Sequence, residues 1–339
     1  ELMPACVAVF VHPEDERYKS FVGKKVEIPF FNRKVEIIAN EAADPEFGSG
    51  IVYHCTFGDA DDIEWVEKYN LPIIELLNKD GTLNEKAGKY KGMTTKEARK
   101  AIIQDLKDGG LIEKIEPIRH VVNVHERCGT EIEFIMTEQW YIRYLDMKKE
   151  FLKAGRRINW YPEHMRVRYD NWVRGLKWDW CISRQRFFGV PFPVWYCKKC
   201  GNIIVAKPEW LPVDPREQQP PISNCPKCGS QDFIGESDVM DTWMDSSITC
   251  AVIAGWPDDM ELFNKLYPND LQPNGYDIIR TWDYYLLVRH LALFGEIPYK
   301  VALINGMVRG TDGRMMHKSY GNYIEVKEVI EKYCADALR

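Results

Sequence analysis

The sequence predicts an α/β protein assembled from a β-rich α+β block at the front, a small cysteine-knuckle insertion in the middle and an α/β block behind it. Three observations carry that prediction. Short β-rich runs separated by turn residues fill residues 5 to about 80, two Cys-x-x-Cys pairs sit inside a Pro-rich stretch at 191–230, and a helical pattern leading to an apolar strand and a basic Gly-containing loop occupies 277–322. At 339 residues the chain has length for about two to three domains, each able to bury its own core.

In the front block, runs at 5–11, 25–30, 34–39, 50–55 and 72–77 read as strands, with Pro13, Gly23 and Asn32 in the turns. Two helices interrupt them. The first runs from Asp59 to Tyr69, opens on acids and spaces Ile63, Val66 and Tyr69 on one face; the second starts at the capping box Thr94-x-x-Glu97, carries Ala98, Ile102 and Leu106, and stops at Gly109 and Gly110. Residues 136–190 read as helices with loops. Further on, 277–294 reads as one helix, 299–304 as an apolar strand, and a last amphipathic helix carries Val326, Val329, Ile330 and Tyr333. There is no internal repeat or low-complexity tract.

Lys and Arg total 45 against 51 Asp and Glu, a net charge of −6, and 45% of positions are hydrophobic. This is an ordinary globular composition. No apolar run approaches the ~18 residues of a membrane span, and Glu1-Leu2-Met3-Pro4 does not open a signal peptide, which argues against membrane and secreted classes. The first residue is not Met and a strand-like run begins almost at once, so the reading expects a piece of a longer chain. Residues 141–190 hold twelve Lys/Arg against five Asp/Glu, together with Trp160, Trp172, Trp178 and Trp180. Cations interleaved with aromatics suit phosphate backbones and exposed bases; a solvated helical face over core tryptophans gives the same pattern.

Ten cysteines include Cys197-x-x-Cys200 and Cys225-x-x-Cys228, joined by the 24 residues 201–224. Two such knuckles can close four thiolates around Zn²⁺, and a filled shell leaves no open position, so a structural metal is expected. In an acidic chain of this size the pattern reads as intracellular, here cytoplasmic, and not as disulfide stapling. A second constellation is Arg309-Gly-Thr-Asp-Gly-Arg-Met-Met-His-Lys-Ser-Tyr-Gly-Asn322. A Gly-containing loop bearing Arg314 and Lys318 can swing over polyphosphate and neutralise charge as pyrophosphate leaves.

Met315-Met316-His317-Lys318-Ser319, followed by Tyr320-Gly321-Asn322 and by Cys334-Ala335-Asp336-Ala337-Leu338-Arg339, resembles the KMSKS loop region of class I aminoacyl-tRNA synthetases. Trp180-Cys-Ile-Ser-Arg-Gln185, Asp238-Val-Met-Asp-Thr-Trp-Met-Asp-Ser-Ser247 and Gly275-Tyr-Asp-Ile-Ile-Arg-Thr-Trp282 resemble their leucyl/isoleucyl/valyl subgroup. Ile278 after Asp277 and Asp241-Thr-Trp243 are similar to the valyl branch, of archaeal type. The resemblance covers essentially the whole chain. It implies the second half of a class I nucleotide-binding, Rossmann-like catalytic fold with an inserted β-rich α+β editing domain and a zinc-ribbon-like insertion. The segments it implies are an editing domain at 1–135, a return to the catalytic domain at 136–190, a zinc-knuckle insertion at 191–236, the second catalytic half at 237–308, and the loop with the start of a stem-contact region at 309–339.

The same resemblance assigns roles. Gly48 to Asp62 matches the family's editing-pocket segment, in which Asp62 would hold the α-amino group of a mischarged ester and Asp59 would be a second polar contact. Carboxylates at a helix N-terminus stay ionised, which suits an ammonium partner, although a helix cap would use the same residues. Tyr53 and Cys55 stand where bacterial-type enzymes tend to have Lys and Thr. Trp243 and Trp282 resemble the walls of the amino-acid pocket. Asp277 resembles the carboxylate on the ATP ribose, with Gly275 allowing close approach, and Asn305, Gly306, Met307 and Val308 resemble the strand end that meets adenine. Lys318 is retained while Met315 and His317 replace the usual Lys and Ser, leaving Arg314 to compensate. The implied partners are ATP, valine and tRNA(Val), with Mg²⁺ on the phosphates, for a monomeric enzyme that also deacylates Thr-tRNA(Val). The family's His-x-Gly-His motif is absent from the sequence, so the expectation is that this polypeptide alone does not activate an amino acid. Two alternatives stand beside this reading: an isoleucyl enzyme, and a noncatalytic zinc-ribbon RNA-binding protein.

Overall fold

The computed structural model describes residues 1–117, 119, 121–125 and 128–338, and of residues 60 and 61 the backbone alone. It divides into two compact units, Glu1–Glu138 and Gln139–Arg339.

In the first unit, β1 (Cys6–Val11), β2 (Lys25–Ile28), β3 (Arg33–Ala39) and β4 (Ile51–Cys55) form one sheet in the order β2-β3-β1-β4. Strand β1 lies inside the sheet, parallel to β3 and antiparallel to β4. All six of its residues, Cys-Val-Ala-Val-Phe-Val, are buried, which explains a continuous apolar run where a half-exposed strand would alternate. Phe10 packs on Trp65 and Tyr69 of helix α1 (Ala60–Tyr69), with ring centroids 4.8 and 5.2 Å away. Helix α2 (Thr95–Asp108) starts at its capping box: the Thr94 N–H donates to Glu97 Oε2 at 2.9 Å, and the Glu97 N–H donates to Thr94 Oγ1 at 3.4 Å. Ala98 and Ile102 then bury against Leu83, Ala87 and Tyr90.

The strand expected at 72–77 does not form. Its backbone groups are committed elsewhere: Thr56 Oγ1 donates to Pro72 O and accepts from the Ile74 N–H, while Asn84 donates to Leu76 O and Glu75 O. One bridge from Leu77 to Leu83 is what remains of a ladder.

The second unit opens with β5 (Tyr141–Ile142), α3 (Lys148–Arg157), β6 (Asn159–Tyr161) and α4 (Arg166–Gly175), then β7 (Trp180–Cys181) and β8 (Ser183–Arg184). Next, β9 (Val194–Cys197), β10 (Ile203–Val205) and β11 (Phe233–Gly235) build a separate antiparallel sheet in the order β10-β9-β11, with its own core of Trp195, Ile204 and Phe233. After β12 (Val239–Met240) follow α5 (Thr242–Ser246), α6 (Thr249–Ile253), α7 (Met260–Leu266), β13 (Asn269–Gly275), α8 (Tyr284–Phe294), β14 (Tyr299–Asn305), α9 (Val326–Tyr333) and α10 (Ala335–Leu338). Strands β13, β14 and β6 run parallel in that order. Phe151 of α3, Tyr169 of α4 and Tyr284 of α8 meet in the main core beside them.

Two of those three parallel strands escape a reading by pattern. Strand β6 is three residues long with one buried side chain, too short for alternation to register. Strand β13 is Asn-Asp-Leu-Gln-Pro-Asn-Gly, which reads as a turn; Pro273 is tolerated because β13 is an edge strand, and its buried faces are the polar Gln272 and Asn274. The single helix expected over 277–294 is also corrected. A 3₁₀ turn at Tyr276–Ile278 leads into a π turn at Ile279–Asp283, and α8 starts only at Tyr284. Asp283 is fully buried and accepts from Asn274 Nδ2 at 2.9 Å and from the Tyr299 hydroxyl at 3.0 Å, tying the turn to both neighbouring strands.

Candidate functional site

Open parallel sheets bind ligands beyond the carboxyl ends of their strands. Here Gly275 ends β13, Asn305 ends β14, and the two are register partners. Asp277 and Met307 close on Gly275 so tightly that a Cβ there would lie 2.6 Å from Asp277 Oδ1 and 2.7 Å from Met307 Sδ. Its φ of −72° is open to any residue, so the position demands space and not a special backbone conformation. Asp277 is exposed, Gly306 is open, and Val308 is 69% exposed. The candidate nucleotide residues therefore gather at one strand end.

Trp243 on α5 and Trp282 in the π turn are both half-buried and pack against the main core from its edge. The Trp282 Nε1–H donates to Ser246 O at 3.4 Å, so the two elements face each other. Beneath them lies a network that sequence reasoning missed. Buried Asp241 caps α5 through the Trp243 N–H at 3.2 Å, and its other oxygen accepts from Arg184 Nη2 at 2.7 Å and Trp180 Nε1 at 3.0 Å. Gln185 Nε2 donates to Asp238 Oδ2 at 2.8 Å, and Trp180 stacks on Tyr285 at 3.9 Å. The available signal was an Arg and an Asp inside the two stretches, 180–185 and 238–247, that carry the subgroup resemblance.

The basic loop folds on itself. Asn322 Nδ2 donates to Asp312 Oδ1 and to Met315 O, each at 3.1 Å, and Asn322 Oδ1 accepts from the His317 N–H at 2.8 Å. Hydrogen bonds from Asn322 and Arg314 hold the Asp312 carboxyl below the usual carboxylate range. The Tyr276 hydroxyl donates to Met315 Sδ at 3.6 Å, which brings the loop to the β13 strand end. Arg314 pairs with Asp312 at 2.9 Å and lies over Tyr320, whereas the exposed Lys318 side chain has no hydrogen-bond or ion-pair partner among the described residues.

The four cysteines converge as expected. Their Sγ atoms lie within 4.8 Å of one another, with Cys197 and Cys228 at 3.5 Å and Cys200 and Cys225 at 3.7 Å. A disulfide needs about 2.05 Å between sulfurs, while a tetrahedral thiolate shell with metal–sulfur bonds of about 2.3 Å places them about 3.8 Å apart. Gly201 and Gly229 supply the positive φ of each knuckle, and their N–H groups donate to Cys197 O and Cys225 O at 2.8 Å. Desolvation opposes ionisation of Cys197, yet hydrogen bonds from the amides of Cys200 and Lys199 and from the thiols of Cys228 and Cys200 hold its thiol below the usual range. The donor set fits a structural metal ion.

In the first unit, Tyr53, Cys55, Asp59 and Asp62 line one cavity of about 320 Å³ together with Gly58 and Trp65. Asp62 Oδ2 accepts from the Gly58 N–H at 2.6 Å and the Asp59 N–H at 3.1 Å, and the Asp62 N–H donates to Asp59 Oδ1 at 3.0 Å. Asp59 is thus a helix cap as well as a cavity residue. Burial, and then the charge of Asp62, push the Cys55 thiol far above its ordinary range, so it lines the cavity as a neutral group and not as a nucleophile.

The sequence matches the tRNA synthetases class I (I, L, M and V) over residues 26–339. The chain belongs to that family, whose catalytic fold has mixed α/β content as seen here. Among curated relatives, valine–tRNA ligases of Archaeoglobus fulgidus, Methanopyrus kandleri and Methanocaldococcus jannaschii are 54%, 51% and 52% identical, each aligned over 100% of this chain and 38% of their own length. The chain thus spans about two fifths of the curated relatives it matches. A solved LeuRS from Agrobacterium radiobacter K84, in a ternary complex with tRNA and LeuAMS, is 21% identical over 99% of this chain and 40% of that one, with a TM-score of 0.41, too loose to add to the assignment. The family match leaves the noncatalytic zinc-ribbon reading unsupported, and relatives named for valine do not favour the isoleucyl one.

Proposed function

We propose that this chain is part of a valine–tRNA ligase, which activates valine with ATP and transfers it to tRNA(Val). The observation that carries the proposal is identity of about half the residues over the whole chain to relatives named for that activity. In this reading Asp277 binds the ATP ribose, Gly275 and residues 305–308 lie against the nucleotide, and Trp243 and Trp282 bound a pocket too narrow for longer side chains. Lys318 meets the phosphates as the valine carboxylate attacks the α-phosphorus in line and pyrophosphate leaves. Mg²⁺ supplies further charge neutralisation on the phosphates. The cysteine quartet holds a structural Zn²⁺, and its closed shell takes no part in the chemistry.

The first unit is the editing domain. A pocket shaped for valine rejects threonine only about 10²-fold because the two are nearly isosteric, so a second hydrolytic site is required. Asp62, and with it Asp59, would hold the polar groups of the mischarged threonyl ester in the 320 Å³ cavity. Aminoacylation by the full-length protein tests the proposal. Charging of tRNA(Val) with valine is the expected outcome; preferential charging with isoleucine would replace the reading.

A further inference from the structure

His54, the fourth of the five residues of β4, is fully buried between Phe10 and Trp65, with ring centroids 5.4 and 5.6 Å away. Its Nδ1 stands 2.6 Å from Asp62 Oδ1, although the ring N–H is not aligned on that oxygen as a hydrogen bond would be. Two bare lone pairs do not approach so closely, so a proton lies between the two atoms and the contact is attractive. Among the described residues Nε2 has no hydrogen-bond partner, so nothing on its other edge explains why a polar ring occupies an aromatic core.

We propose that His54 is a positioning residue for the Asp62 carboxylate. The inference rests on the editing role proposed for Asp62. The carboxylate is then held from two sides, Oδ2 by the amides of Gly58 and Asp59 at the start of α1 and Oδ1 by the imidazole of β4. Its side chain is 13% exposed, and that remnant faces the cavity. A carboxylate fixed in this way offers an incoming ammonium group one direction of approach, and the orientation is set before the ester arrives.

The test uses the full-length protein and purified Thr-tRNA(Val), with Asp62→Ala, His54→Leu and His54→Asn compared in single-turnover and steady-state deacylation. Leu fills the apolar space without a donor, while the Asn amide can place an N–H where Nδ1 stands. A well-aligned donor to a charged group is worth about 10- to 100-fold, and this contact is close but off-line, so His54→Leu is expected to lower the deacylation rate about tenfold and His54→Asn to restore most of it. A merely structural histidine would give equal losses in both variants, or losses that follow thermal melting, and either result overturns the proposal. Normal deacylation by His54→Leu while Asp62→Ala is inactive also overturns it. Normal deacylation by Asp62→Ala would instead remove the editing assignment on which it rests.

Discussion

Gly275→Ala is the sharpest steric perturbation of the proposed nucleotide site. The added Cβ would sit 2.6 Å from Asp277 Oδ1 and 2.7 Å from Met307 Sδ, whereas ordinary contact begins at 3.4 Å, so both neighbours must retreat by roughly 0.7 to 0.8 Å. Met307 can swing away. Asp277 cannot move that far and still present its carboxylate to the same point, and a displacement approaching 1 Å costs up to about 10²-fold where alignment matters. The backbone at 275 (φ −72°, ψ 154°) accepts Ala without strain, so folding stability should stay within about 1 kcal/mol of wild type. In ATP–pyrophosphate exchange by the full-length protein, KM for ATP should rise about tenfold or more with KM for valine unchanged. Gly175→Ala, where a Cβ meets nothing within 4 Å, serves as the control. An unchanged KM for ATP in Gly275→Ala would refute the placement of the ribose beside Asp277.

Three further outcomes are expected. Lys318→Ala should slow adenylate formation about 10²-fold in a stopped-flow burst, and Arg314→Ala much less because Arg314 is already paired with Asp312; equal effects would contradict this. Metal analysis should find one zinc per chain, and Cys197→Ser should lose it and lower the melting temperature; a metal-free protein of normal stability would remove the site. Burial raises Asp283 from the ordinary 3.8 to about 6, against hydrogen bonds from Asn274 and Tyr299. The folded state therefore holds this proton more tightly than the unfolded chain, and the stability it contributes is complete below about pH 4 and lost as pH rises through about 6. Relative to wild type, Asp283→Asn should gain stability across that window in denaturant titrations, and a pH-independent difference would count against the buried charge.

Legibility followed local periodicity and ended where tertiary contacts decide. Strand β1, the capping box at Thr94 and the cysteine knuckles are each specified by residues within a few positions, and all three form. Strands β6 and β13 exist because β14 lies between them, and polar Gln272 and Asn274 face inward only because buried partners such as Asp283 are there to receive them. The same limit applied to the site. Gly275 and Asp277 were found through a motif, but their closeness to Met307 depends on strand register. The Arg184–Asp241 ion pair joins residues 57 apart in sequence, and His54 reads as one more strand residue until Asp62 is placed beside it.

In the function proposed, the full-length protein joins a small branched amino acid to tRNA in one pocket and cleaves its isostere in another. ATP consumption and acylated tRNA(Val), measured together with valine and then threonine on the full-length protein, address both pockets at once. Valine should yield stable Val-tRNA(Val), and threonine should drive tRNA-dependent ATP hydrolysis with almost no Thr-tRNA(Val) accumulating until Asp62→Ala is introduced. Stable Thr-tRNA(Val) made by the wild-type protein, or activation of isoleucine ahead of valine, would contradict it.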